Sequence, residues 1–131
     1  MPIIRITKDI VAVWAALCSA LWPRALPDEM IASFENGEYE NEFLYELNGV
    51  YVAFISLSIR KDYVEGKTGS SPVGYLEGIY VVPAYRNLGI AGELIRFAKD
   101  WCKENGCSML ASDCELTNED SRAFHEKAGF Q

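Results

Sequence analysis

The chain has 131 residues, half of them hydrophobic, and carries 19 acidic against 12 basic side chains for a net charge of −7. That length supports one domain over residues 1–131 with a real core, and that apolar fraction excludes a disordered chain. The acidity argues against nucleic acid, which asks for a basic face, and suits a polycationic substrate drawn to an acidic cleft.

No apolar run approaches the ~18 residues of a membrane span, so no membrane partner is expected. The start, MPIIRITKD, has no basic region followed by an apolar core, so no signal peptide is read there. Cys18, Cys102, Cys107 and Cys114 form no CxxC pair, and there is one histidine. No metal site is expected; reduced core thiols of a cytoplasmic protein are the reading.

Pro2 to Ile6 is short and apolar and predicts a first strand. Thr7 is a good N-cap, and Asp9 sits in a first turn where negative charge helps. Ile10, Val13, Trp14, Leu17 and Leu21 follow at helical spacing, and the helix stops at Trp22-Pro23. Pro27 and Asp28 open a second helix carrying Met30, Ile31 and Phe34, which ends near Asn36-Gly37. Phe43 to Tyr45 begin a strand, Asn48-Gly49 signals a hairpin turn, and Val50 to Ile59 form the returning strand. Lys61 to Pro72 is polar, with two glycines, and reads as an exposed loop.

The stretch Gly74 to Ile95 organises the rest. Tyr75, Leu76, Ile79, Tyr80, Val81 and Val82 make an almost unbroken apolar run, which suits a strand with both faces covered. Pro83 stops the ladder, and Arg86-Asn87-Leu88-Gly89-Ile90-Ala91 leads directly into a helix whose apolar face is Leu94, Ile95, Ala98, Trp101 and Cys102. Such a loop aims unpaired backbone N–H groups at one point and, with the helix dipole, makes a phosphate site. Gly89 allows close approach, Ala91 is small, and Arg86 adds fixed positive charge. Gly106 ends the helix, Cys107 to Ala111 predicts a strand, and a last helix is expected from about Asn118 to Ala128.

The run Val82-Pro83-x-x-Arg86-x-x-Gly89-x-Ala91 resembles the acetyl-CoA loop of the GNAT N-acetyltransferases. Asn118-x-x-Ser121-x-x-Phe124-His125-Glu126-Lys127-Ala128-Gly129-Phe130 resembles that family's last helix, and the spacing between the two agrees. The resemblance implies an α/β (α+β) GNAT acyl-CoA N-acyltransferase fold, a central mixed sheet flanked by helices. This sequence stops where two C-terminal strands are usual, so those strands are expected to be missing. The chain also resembles the aminoglycoside 6′-N-acetyltransferases over most of its length. That likeness rests on Leu21-Trp22-Pro23, Ser58-Ile59-Arg60-x-Asp62-Tyr63-Val64-x-Gly66, Ser71-Pro72-Val73, Leu76-Glu77-Gly78-Ile79-Tyr80-Val81 and Ala111-Ser112-Asp113. It implies transfer of acetyl from acetyl-CoA to the 6′-amine of an aminoglycoside by direct attack in a ternary complex, and a homodimer.

The chemistry gives each candidate residue a task. An ammonium must lose a proton before it attacks a thioester, and carboxylates can hold the cation and relay that proton. Glu77 in the central strand and Asp113 at the end of the next are assigned to the substrate site by the resemblance, without deciding which is the base. Glu77 is costly to bury in an apolar strand without a partner, whereas Asp113 also fits an ordinary turn or cap. Trp22 and Tyr63 match substrate-pocket positions; Trp22 equally suits a helix-end core residue. The backbone of Ile79, Tyr80 and Val81 is expected to pair with the acetyl carbonyl and pantetheine, with an N–H stabilising the oxyanion. The N–H groups of Leu88, Gly89, Ile90 and Ala91 are expected to hold the pyrophosphate. Asn118 matches a coenzyme A contact and also suits a helix N-cap. His125 replaces the family's usual tyrosine, the acid for the leaving thiolate. Its imidazole can serve that thiolate or simply pack in the helix.

Two other functions fit the same residues. One is acetylation of a different amine, a polyamine or a protein amino group, on the same cofactor loop. The other is a non-catalytic acyl-CoA-binding module, which rests on the short C-terminus alone.

Overall fold

The computed structural model describes residues 2–60, 73–107 and 110–112. The expected loop 61–72, with Tyr63, and the segment carrying Asp113, Cys114, Asn118 and His125 lie outside the described residues.

The described chain runs β1 (Ile3–Arg5), α1 (Val11–Leu21), α2 (Pro27–Glu35), β2 (Asn41–Leu47), β3 (Val50–Arg60), β4 (Val73–Val81), α3 (Ile90–Glu104) and β5 (Leu110–Ser112). The strands form one sheet in the order β1-β2-β3-β4-β5, with antiparallel neighbours except the parallel pair β4–β5. It is thus the mixed sheet expected. One face packs on α3 through Phe43, Ile55, Leu57, Leu76, Leu94 and Trp101. The other packs on α1 and α2 through Trp14, Cys18, Met30, Leu44 and Phe54.

Local chemistry explains most element ends. Pro27 opens α2 where its missing N–H costs nothing, with Asp28 and Glu29 in the first turn, and Gly37 follows the C-cap at φ +79°. Asn48 and Gly49, at φ +51° and +82°, form the tight β2–β3 turn that their types favour.

The first helix differs from the expectation. It begins at Val11, with Ile10 at the N-cap and no side-chain cap; Thr7 instead accepts the Ile10 N–H through its carbonyl in a preceding turn. Its buried face is Val11, Trp14, Ala15 and Cys18, and Val13 is exposed. The helix is apolar almost all round, so its periodicity does not choose a face.

Two bulges set the sheet's registers. On β3, Val52 is an extra residue between the pairs Glu46–Tyr51 and Tyr45–Ala53. On β4, Glu77 is the extra residue between Leu76–Leu57 and Gly78–Ser56. A bulge bends its strand and re-aims a side chain. Here Leu76 packs in the α3 layer, whereas a Cβ on Gly78 would point at α1. The apolar run of β4 is accordingly covered on both faces: Leu76, Ile79 and Val81 join the α3 layer, and Tyr80 packs in the α1 layer.

Candidate active site

The glycine loop lies where the sequence puts it. β4 ends at Val81, and Pro83–Tyr85 form a single 3-10 turn. The Nε–H of Arg86 donates to the Val81 carbonyl at 2.9 Å, and its guanidinium lies 5.6 Å from the Tyr80 ring centroid. Arg86 thus folds the loop back onto the strand end as well as supplying charge. Gly89 sits at φ +83°, in the left-handed region, and is the N-cap of α3. Gly89 supplies no side-chain cap, and the Glu93 N–H donates to the Gly89 C=O at 3.1 Å. The N–H groups of Ile90, Ala91 and Gly92 precede that bond and lack an intrahelical acceptor. The Ile90 side chain is buried in the core, so Ile90 can meet a ligand only through its backbone. Leu88 is 63 % exposed and contributes no wall. Glu93 accepts a hydrogen bond from the Tyr45 hydroxyl. That bond ties the one acid of the first turn to β2.

Among the described residues, the second half of β4 has a strand neighbour on one side. Ile79, Tyr80 and Val81 pair with Ile55, Phe54 and Ala53 of β3. On the other side β5 pairs only with Gly74, Tyr75 and Leu76. Past the bulge, no described strand accompanies β4 there, and backbone N–H and C=O groups along such an edge suit an extended ligand. An uncapped helix start beside an open strand edge fits an acyl-CoA: pyrophosphate at one, pantetheine along the other.

The bulge also places Glu77. Its carboxylate lines a cleft of about 660 Å³, together with Trp22, Tyr39, Glu42 and Ser58. Ser58 Oγ–H donates to Glu77 Oε2 at 2.5 Å. Glu38 and Glu40 line the same cleft, and no Lys or Arg is among its described lining residues. Such a cleft selects cations. Among the described residues no group of His, Cys, Asp and Glu could hold a metal ion.

Trp22 stands at the end of α1 and also lines the cleft. It is the C-cap residue of α1, donating its N–H to the Cys18 carbonyl at 2.7 Å. Its ring meets Phe54 edge-on at 5.7 Å between centroids while also lining the cleft. Gly78 makes this possible, because a Cβ there would lie 2.5 Å from Trp22 Cζ2.

Glu42 is the cleft residue that sequence reasoning missed. It is 1 % exposed; its Oε1 accepts from Trp14 Nε1–H at 3.0 Å, and its Oε2 from Ser56 Oγ–H at 2.7 Å. Burial pushes its carboxyl up to about 8; the Ser56 and Trp14 bonds pull it down, and the charge of Glu77 raises it further. Cys18 beneath it is raised by its own burial and then by Glu42.

These features suit an acyl-CoA held against an acidic, aromatic-walled cleft. The Acetyltransferase (GNAT) family matches residues 8–130, and the chain belongs to that family. It is 40% identical over 126 residues to an aminoglycoside N(6′)-acetyltransferase type 1 of Serratia marcescens, covering 93% of this chain and 86% of that one. Among solved structures it is similar to the aminoglycoside N-acetyltransferase AAC(6′)-Iy in complex with CoA, with TM-score 0.87 and 36% identity over 98% of this chain and 86% of that one. AAC(6′)-Iy in complex with the bisubstrate analogue CoA-S-monomethyl-acetylneamine aligns with TM-score 0.86 and 36% identity, covering 98% of this chain and 89% of that one. The apo aminoglycoside antibiotic 6′-N-acetyltransferase AAC(6′)-IG of Acinetobacter haemolyticus does so with TM-score 0.86 and 36% identity, covering 100% and 91%.

Proposed function

We propose that this chain is an aminoglycoside 6′-N-acetyltransferase. It moves acetyl from acetyl-CoA to the 6′-amine of an aminoglycoside by direct attack in a ternary complex. The observation that carries the reading is the bulge at Glu77. One irregularity in β4 sends a carboxylate into the acidic cleft and is followed by the strand edge and helix start that suit acyl-CoA.

The roles follow from chemistry. Acetyl-CoA supplies an activated thioester carbonyl. Glu77, oriented by Ser58, holds the substrate ammonium and receives its proton directly or through water. Asp113 follows β5, whose last residue, Ser112, is registered on Leu76, and it shares that task. The amine nitrogen then bonds to the acyl carbon as the carbon–sulfur bond breaks. A backbone N–H among Ile79, Tyr80 and Val81 stabilises the negative charge on the acyl oxygen. Arg86 and the N–H groups of Leu88 to Ala91 hold the pyrophosphate, with Asn118 as a further coenzyme A contact. His125 protonates or hydrogen-bonds the departing sulfur. Trp22 and Tyr63 wall the sugar.

The reading extends to a cytoplasmic homodimer. Four cysteines without a paired CxxC spacing suit a reducing compartment, and the family likeness supports the dimer. Sedimentation of the native chain tests the dimer. Locating the acetyl group on neamine by mass spectrometry and NMR tests the function. Modification of the 6′-amine, reduced at least 100-fold in Glu77→Gln, is expected. Modification elsewhere, or full activity in that variant, overturns the assignment.

A further inference from the structure

Glu42 has a structural position and no place in the chemistry above. It lies on β2 directly opposite Ser56 of β3, and beneath it Trp14 of α1 donates from a fully buried ring. The described groups that face it are all acidic or neutral. They are Cys18 and Trp14 from α1, Tyr39 from the segment after α2, Ser56 from β3 and Glu77 from β4. Arg5 of β1 is registered on Phe43, stacks on that ring and so belongs to the opposite, α3, face. Among the described residues, therefore, this buried carboxyl has no countercharge.

A carboxylate taken out of water without a cation is expensive, and the group remains protonated instead. Its two hydrogen bonds suit either state: Trp14 donates to Oε1 throughout, and the Ser56 hydroxyl can donate to Oε2 or accept from it. Glu42 nevertheless lines the cleft. An ammonium arriving there supplies the missing cation and favours the ionised form.

We propose that Glu42 is a specificity-determining carboxyl for polycationic substrates. It is neutral in the empty cleft and gives its proton to solvent when an ammonium occupies the cleft. The inference rests on the aminoglycoside reading and adds a function to a side chain that otherwise ties α1 to the sheet. The cleft then carries less negative charge when empty than when filled. A substrate with one amine, held at Glu77 alone, gains little from Glu42, whereas one with several amines gains a second anionic partner.

The test is calorimetry of neamine binding to the full chain with coenzyme A present, at neutral pH, in buffers of different ionisation enthalpy. Glu42→Gln preserves the hydrogen-bonding shape and removes the charge. Wild type is expected to release up to about one more proton per neamine than Glu42→Gln, because an opposite charge within several ångströms lowers a carboxyl pKa by ~1–3 units. The KM for neamine is expected to rise roughly tenfold in the variant, with the KM for acetyl-CoA unchanged. Infrared difference spectra of wild type, which need no variant, should show loss of a protonated-carboxyl band as neamine binds. Equal proton counts in two proteins that both bind neamine, or a carboxyl band unchanged by binding, overturn the inference and leave the acetyltransferase reading intact. Failure of wild type to bind neamine overturns both.

Discussion

Adding one methyl group at Gly78 should displace the Trp22 wall of the cleft and spare the glycine loop. A Cβ there would lie 2.5 Å from Trp22 Cζ2, 2.9 Å from Cη2 and 3.1 Å from Leu21 Cδ2. Carbon atoms rest at about 3.5–4.0 Å, so the indole must retreat by roughly 1 Å. Its freedom is small: Phe54 packs edge-on against it, and the Trp22 N–H is fixed to Cys18. Overpacking of this kind costs about 1–3 kcal/mol. Gly78→Ala is therefore expected to lose about 1–2 kcal/mol of stability in urea titration, and part of the wall's displacement appears in binding. The KM for neamine should rise roughly 5–30-fold, and that for acetyl-CoA should stay within about twofold. In a Trp22→Ala background the same methyl group should cost almost nothing, because its clash partner is gone. An unperturbed Gly78→Ala refutes the packing argument. Equal damage with and without Trp22 places the fault in the bulge backbone instead.

Other consequences are independent. Glu42 is raised in the folded state from 4.5 to about 8, so between those values the folded chain holds a proton the unfolded chain has lost. Stability should fall as pH rises through that window, by at most about 1.4 kcal/mol per unit. Melting temperatures should show that slope in wild type and lose much of it in Glu42→Gln; an unchanged slope refutes the assignment. Ser58→Ala removes the hydroxyl that orients Glu77 and should lower kcat/KM about fivefold, near 1 kcal/mol, in steady-state assays with acetyl-CoA uptake unaffected. Gly89→Ala forces a side chain to φ +83° at a cost of about 1–2 kcal/mol and should raise the KM for acetyl-CoA rather than for neamine.

Much of the fold is legible because its signals are chemical and local. Asn48-Gly49 can do little but turn a hairpin, Pro27 begins a helix, and Gly89 after an apolar strand opens another. The bulges are less legible, because they are decided by packing across strands. Continued without a break, the Asn48-Gly49 turn would set Glu42 opposite Ile55; the extra Val52 sets it opposite Ser56. Glu42 therefore reads in the sequence as one of several surface acids and in the fold as a buried one. The signal available was its spacing from Leu44, since alternate strand residues share a face and Leu44 is fully buried in the α1 layer. Glu77 stands out in the sequence through the family resemblance and as an acid in an apolar strand, and Gly78 beside it is the local hint of a bulge. The face of α1 had no such hint, because nearly all its residues are apolar.

The central claim is that this acidic cleft presents an aminoglycoside amine to acetyl-CoA. Thiol release from acetyl-CoA, followed side by side with neamine, with spermidine and with no acceptor, tests it most directly. Saturable release with neamine and background release in the other two is the predicted result. Turnover with spermidine and none with neamine would contradict it, and would make the cleft a site for a different polycation.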